Sequence, residues 1–284
     1  MKQSPPTLEK IVHSVTQLAS LPALHMRILE VLNQSDADLV ELDTLISRDP
    51  SLTARLLRRS NSSYFGRGGT VSTVRHALTV LGLDHARDIV LSASVLSVFE
   101  KMPQNLISMK GFWEHSVLVG LLAREIGILN QLDNTEELNT AGLLHDVGRL
   151  VMIQTLPVEY HKLLLYAKAA GKPLVLVEHQ HLGYTHGQVG GALFSEWGLP
   201  FSICQAAAHH HLPSAIQSNR ELVEIVQLAD VLAHGLQIGN SGAFHVPPFD
   251  PDTAMRLLPP DSIKQVLLTA ETAVEDIMVA LFAE

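Results

Sequence analysis

One cysteine, Cys204, stands in a chain of 284 residues. It leaves no partner for an intrachain disulfide, excludes a multi-thiolate metal site, and fits a reducing compartment. Positive charge is in deficit, with 20 Lys+Arg against 29 Asp+Glu and a net charge of −9 with His neutral. That balance argues against a general affinity for a phosphate backbone, so nucleic acid is not an expected partner. Long apolar runs are missing: no stretch reaches the roughly 18 residues that a membrane span requires. The start, Met1-Lys2-Gln3-Ser4-Pro5-Pro6, has no apolar core of the secretory kind. A cytoplasmic location without membrane contact is therefore expected. Strand signals are also scarce, because no alternating run of useful length is bounded by an Asn-Gly or Asp-Gly turn.

Apolar periodicity is plentiful. Leu39, Leu42, Leu45 and Ile46 form one helical stripe, and Val117, Leu118, Leu121, Leu122 and Ile126 another. A third runs along Val223, Val226 and Val231. The fold class expected is all-α, a multi-helical bundle; only Pro173 to Val177 is ambiguous between helix and strand. Gly66-Arg67-Gly68-Gly69 reads as a loop and Met102-Pro103-Gln104-Asn105 as a joint. Gly239-Asn240-Ser241-Gly242, followed by Pro247, Pro248 and Pro251, reads as a linker over 239–260. Asp261-Ser262 is then placed to cap a C-terminal helix over 261–284. Residues 1–17 read as an extension.

Charge is uneven. From Arg48 to Val90 there are seven Arg, no Lys and three acids, a balance of +4, which leaves −13 for the rest. The segment reads either as a solvated helix face or as a docking face for an acidic or phosphorylated signalling partner, through Arg55, Arg58, Arg59, Arg67 and Arg75. Tyr64 and Phe65 beside these arginines read as core aromatics rather than a nucleotide-stacking pair.

The surplus is histidine, 15 residues, three-quarters of the Lys+Arg count. Several sit where an imidazole is costly. His115 opens an apolar helix, His145-Asp146 ends an apolar run, and His186 follows Tyr184-Thr185. His209-His210-His211 closes another apolar helix, and Asp230 lies inside a further one. A carboxylate or imidazole on an apolar face needs a partner. One divalent cation satisfies several at once. Nitrogen and oxygen donors without thiolate suit Zn, Fe, Mn or Co. A carboxylate can also bridge two cations about 3.5–4 Å apart, the arrangement that activates water on phosphate esters. Read as one helix, adjacent His145 and Asp146 lie about 100° apart. His234, a turn after Asp230, reads either as a neighbour of the site or as a surface residue.

The order of these residues resembles the HD superfamily of metal-dependent phosphohydrolases, and within it the HDOD (HD-related output domain) family of bacterial signalling proteins. Leu21-Pro22-Ala23-Leu24 resembles the family's opening. Asp49-Pro50-Ser51-Leu52 through Asn61-Ser62-Ser63-Tyr64-Phe65 is similar to its DP-x-L and N-S-x-x-F elements. Ala77 through Gly82, Trp113-Glu114-His115-Ser116, His186 through Gly190, Trp197-Gly198-Leu199-Pro200, His210-His211-Leu212-Pro213 and Ala229-Asp230 continue the match. The resemblance covers about residues 18–235. It implies an HDOD domain over 18–238, with an N-terminal helical half at 18–104 and an HD-like half at 105–238.

It also implies a divalent transition-metal site (Fe, Mn or Zn), dinuclear, with His115, His145, Asp146 and Asp230 on one cation. Asp146 would bridge to a second, held by His186 and His210 with His211 nearby. Two departures bear on activity. Arg149 stands where the HD-GYP enzymes carry Lys; it is always protonated and cannot lend a proton, though it can clamp phosphate. The GYP-containing segment after His210-His211 is missing. The expectation is a signal-transduction module that keeps a metal site and acts through a partner. The alternative is an active phosphohydrolase on a nucleotide or cyclic dinucleotide, with Asp146 and Arg149 as its catalytic residues.

Overall fold

In the computed structural model the described residues are 6–18, 21–34, 36–61, 70–99, 106–246 and 248–282. Tyr64, Phe65, Arg67, the 66–69 loop and the 102–105 joint lie outside them. All extended regular structure among the described residues is helical. No helix there is long and apolar enough to cross a membrane. The ambiguous segment resolves as helix Leu174–Leu182.

The chain divides into two compact units, Met1–Ala19 with Met102–Glu271, and Ser20–Lys101 with Thr272–Glu284. The second unit holds the helices Ala23–Leu32, Leu39–Ile46, Pro50–Ser60, Val74–Leu81 and Leu83–Phe99. Their starts follow from side-chain caps. Asp38 accepts from Val40 N, Asp49 from Leu52 N and Thr73 from His76 N, each satisfying a donor that the first helical turn leaves free. Leu42, Ile46, Leu52, Leu56 and Leu78 fill its interior. Buried His25 spans Asp49 Oδ2 at 2.8 Å and Ser94 Oγ at 3.0 Å, tying three helices together.

The larger unit is built on helix Met109–Leu129, which packs against Thr135–Leu144 and Arg220–Leu236. Helices Val147–Thr155, His186–Glu196 and Phe201–His209 pack in sequence beside them. The expected N-terminal extension instead forms helix Leu8–Leu18, which buries Ile11, Val12 and Val15 against Val147–Thr155 and His186–Glu196. Each such aliphatic burial contributes roughly 1.5–3 kcal/mol.

The segment expected as a linker is not one throughout. It carries a helix, Pro251–Leu257, capped by Asp250, and it buries Ser241, Ala243 and Leu257. Pro251 takes the first helical position, while Pro247 lies outside the described residues. The C-terminal helix runs Pro260–Phe282. Asp261 therefore sits in its first turn rather than before it.

Candidate metal centre

Local structure sets up the centre. Ser108 caps the helix that carries His115. Thr185 and Gln188 form a reciprocal capping box that starts the next helix at His186. His210 follows the last residue of Phe201–His209, and Asp230 lies mid-way along Arg220–Leu236. His145 and Asp146 do not share a helix as expected: Thr135–Leu144 ends before them and Val147–Thr155 begins after them. The turn lets the pair point into the bundle from a junction between two helices.

Gly148 sets how closely that junction approaches the His186 helix. A β-carbon there would fall on the carbonyl oxygen of His186 and lie 2.7 Å from Gly190 N. Only a residue without a side chain lets Asp146 and His186 meet.

The side chains named from the sequence converge. Asp230 Oδ1 lies 3.0 Å from His115 Nε2 and 3.6 Å from His145 Nε2. Asp146 Oδ2 lies 3.4 Å from His145 Nε2. On the other side of the same carboxylate, Asp146 Oδ1 lies 3.2 Å from His186 Nε2 and 3.6 Å from His210 Nε2. His211 Nε2 is 3.1 Å from His186 Nε2. All are buried except His211, which is half-buried.

Arg149, expected to face a phosphate, is turned inward and 1% exposed. Its Nε lies 3.1 Å from Asp146 Oδ1, and Nη1 donates to Ser241 Oγ at 2.6 Å.

Three further residues were not singled out from the sequence, or only half so. Glu178 is fully buried and accepts from His186 Nδ1 at 2.6 Å and from His186 N at 2.9 Å. Tyr160 Oη donates to its other oxygen at 2.5 Å. A glutamate following the apolar run Leu174-Val175-Leu176-Val177 was the available signal. His234 is a neighbour of the site: its Nδ1 lies 3.0 Å from Asp230 Oδ1 and 2.9 Å from Asp230 O.

Electrostatics follow from burial against charge. Burial alone would raise the carboxyls of Asp146 and Asp230. Arg149 and His145 outweigh it at Asp146, and His234, His115 and His145 at Asp230, so both lie well below the usual carboxylate range. Burial would likewise lower His145, but Asp146 and Asp230 push it up to about 10. His210 is lowered to about 3, by burial and then by His145.

The donor set fits a divalent transition metal. Asp146 Oδ1 and Oδ2, Asp230 Oδ2 and His145 Nε2 are buried and make no hydrogen bond, a costly state unless a cation satisfies them. Three groups bring their ligand atoms within 4.8 Å of one another: Asp146, His186, His210 and His211; His115, His145 and Asp146; His115, Asp230 and His234.

Known proteins share this architecture. An HDOD domain protein of unknown function from Geobacter sulfurreducens superposes with a TM-score of 0.76 at 24% identity, covering 98% of this chain and 100% of that one. A candidate phosphohydrolase from Shewanella amazonensis SB2B gives 0.74 at 21% identity, over 96% and 98%. In sequence, an uncharacterized protein of Treponema pallidum (strain Nichols) is 23% identical over 225 residues, 78% of this chain. The chain spans 43% of that relative's length. The HDOD domain profile matches residues 18–213, most of the chain, so the protein belongs to the HDOD domain family.

Proposed function

We propose that the protein is a signal-transduction module that holds a divalent transition metal in a buried centre and acts through a partner. The observation that carries this reading is the burial of the centre. His115, His145, Asp146, His186, His210 and Asp230 are all at most 2% exposed. A phosphodiester would have to reach Asp146 through packed side chains, and Arg149 is held away from any such ligand by Ser241.

When bound, the metal supplies positive charge to the carboxylates and a Lewis acid for oxygen ligands. His115, His145, Asp146 and Asp230 would hold one ion, and Asp146, His186, His210 and His211 would hold a second. Nitrogen and oxygen donors of this kind support Fe, Mn or Zn, and the two groups around Asp146 support a dinuclear reading. Glu178 keeps the Nδ1 proton of His186 in place, so that Nε2 offers its lone pair. The partner is an acidic or phosphorylated protein recognised by Arg55, Arg58, Arg59 and Arg75, with Arg67 outside the described residues.

The test is hydrolysis. Metal-loaded protein is offered cyclic dinucleotides and a generic phosphodiester. No turnover is expected. Turnover that disappears in folded Asp146→Ala would replace this reading with the second one, a nucleotide phosphohydrolase. That second reading is favoured by the complete ligand set alone.

A further inference from the structure

The two oxygens of Asp146 face different surroundings. Oδ2 faces His145, which in turn neighbours Asp230 and His115. Oδ1 faces His186 and His210, and it also faces a permanent cation. Arg149 Nε is 3.1 Å from Asp146 Oδ1, and Arg149 Nη2 is 3.4 Å from His186 Nε2. The guanidinium therefore lies against two of the ligand atoms that a second metal would need. It is not free to swing away. It is 1% exposed, with Nη1 held by Ser241 Oγ at 2.6 Å and by Ser241 O at 3.3 Å. Ser241 is itself fixed. Asn240 N donates to Gly111 O at 2.8 Å, and a β-carbon at Gly239, whose φ is +69°, would fall on His115 N. That segment is docked against the helix carrying His115.

The charge count agrees. With every imidazole neutral, as metal ligation requires, the described residues at the centre are the acids Asp146, Asp230 and Glu178 and the permanent base Arg149, a balance of −2. One divalent ion neutralises it. Two would leave +2 in a largely buried site, with the second ion beside a guanidinium.

We infer that Arg149 occupies the place of a second cation, so that the centre holds a single divalent ion, on the His115, His145, Asp146 and Asp230 side. This rests on the metal reading above and narrows its ligand sets to one that is filled. The His186, His210 and His211 set is then completed by a side chain of the protein. The residue that the sequence offered as a phosphate clamp is instead a built-in counter-charge.

Metal stoichiometry tests it. Wild type, Arg149→Lys and Arg149→Ala are stripped, reloaded with Mn(II), desalted and analysed for metal per folded chain. One ion is expected in wild type and in Arg149→Lys, which keeps the charge. Two are expected in Arg149→Ala, which removes the charge and opens space. Two ions in wild type, or one in folded Arg149→Ala, would overturn the inference and leave the metal reading standing. No ion in any of the three would instead end the metal reading. Should Arg149→Ala fail to fold, the paramagnetic resonance of Mn(II)-loaded wild type decides. An isolated six-line Mn(II) spectrum supports the single ion, and an exchange-coupled pair contradicts it.

Discussion

Glu178 shows what a single residue adds that motif spacing does not carry. Among the described residues, its hydrogen bonds to the candidate ligands go to the ring and backbone of His186. Its role depends on Tyr160, 18 positions away in sequence, whose hydroxyl holds the other carboxylate oxygen. Such a partnership exists only once two helices have packed, so the sequence offers only a carboxylate after an apolar run. The candidate ligands are different. Imidazoles and carboxylates beside apolar runs mark His115, His145, Asp146, His210 and Asp230 in the sequence, and the family resemblance adds His186 and His211 to one set. Glu178→Gln keeps the shape but loses the charge that holds the Nδ1 proton. With His186 completed by Arg149, Glu178→Gln and Tyr160→Phe should leave metal affinity within a few-fold of wild type in competition titration. A loss of roughly 10–100-fold in Glu178→Gln would mean that the His186 set ligates metal.

Elements were legible where period and caps agreed, and misplaced where a turn interrupted them. The His115 and Asp230 helices follow their apolar stripes. His145 and Asp146 read as one helix because Leu143-Leu144 and Val147 continue the apolar run across the break. Beside the break is a tertiary contact: Gly148, in the first turn after it, passes close beneath the His186 carbonyl. Gly148→Ala should therefore destabilise the larger unit by roughly 1–3 kcal/mol or more in urea unfolding, despite the helix propensity of Ala.

Asp49 gives a second element-scale prediction. Burial alone would raise its carboxyl, but the hydrogen bonds from Leu52 N and His25 hold it below its ordinary value. A depressed folded pKa means a stabilising contribution above the unfolded carboxylate range, near about 4. That contribution is lost as pH falls through the lower folded value. Wild type should exceed Asp49→Asn in stability at pH 7, with the gap closing below about pH 4. A gap independent of pH would contradict this. Asp49→Ala, which also loses the cap, should cost about 1 kcal/mol.

At the scale of the molecule, the helical class was clear from the absence of strand signals as much as from the stripes. In the segment 239–260 the Gly and Pro pattern that suggests a linker has another cause. Gly239 is there to let the chain lie on the His115 helix, and Pro251 starts a helix. The charge of −9 likewise hides a buried deficit at the centre that only the fold assembles. A bound ion must stabilise the folded chain by mass action, about 2.7 kcal/mol at 100 times its Kd. Thermal unfolding should shift upward on reloading stripped protein, and this shift should vanish in Asp146→Ala.

The most direct measurement is elemental analysis of folded protein joined to anomalous scattering from its crystals. The account predicts Fe, Mn or Zn in the protein and an anomalous peak bounded by His115, His145, Asp146 and Asp230. Folded protein that carries no metal, and takes up none on reconstitution with all three, would contradict it.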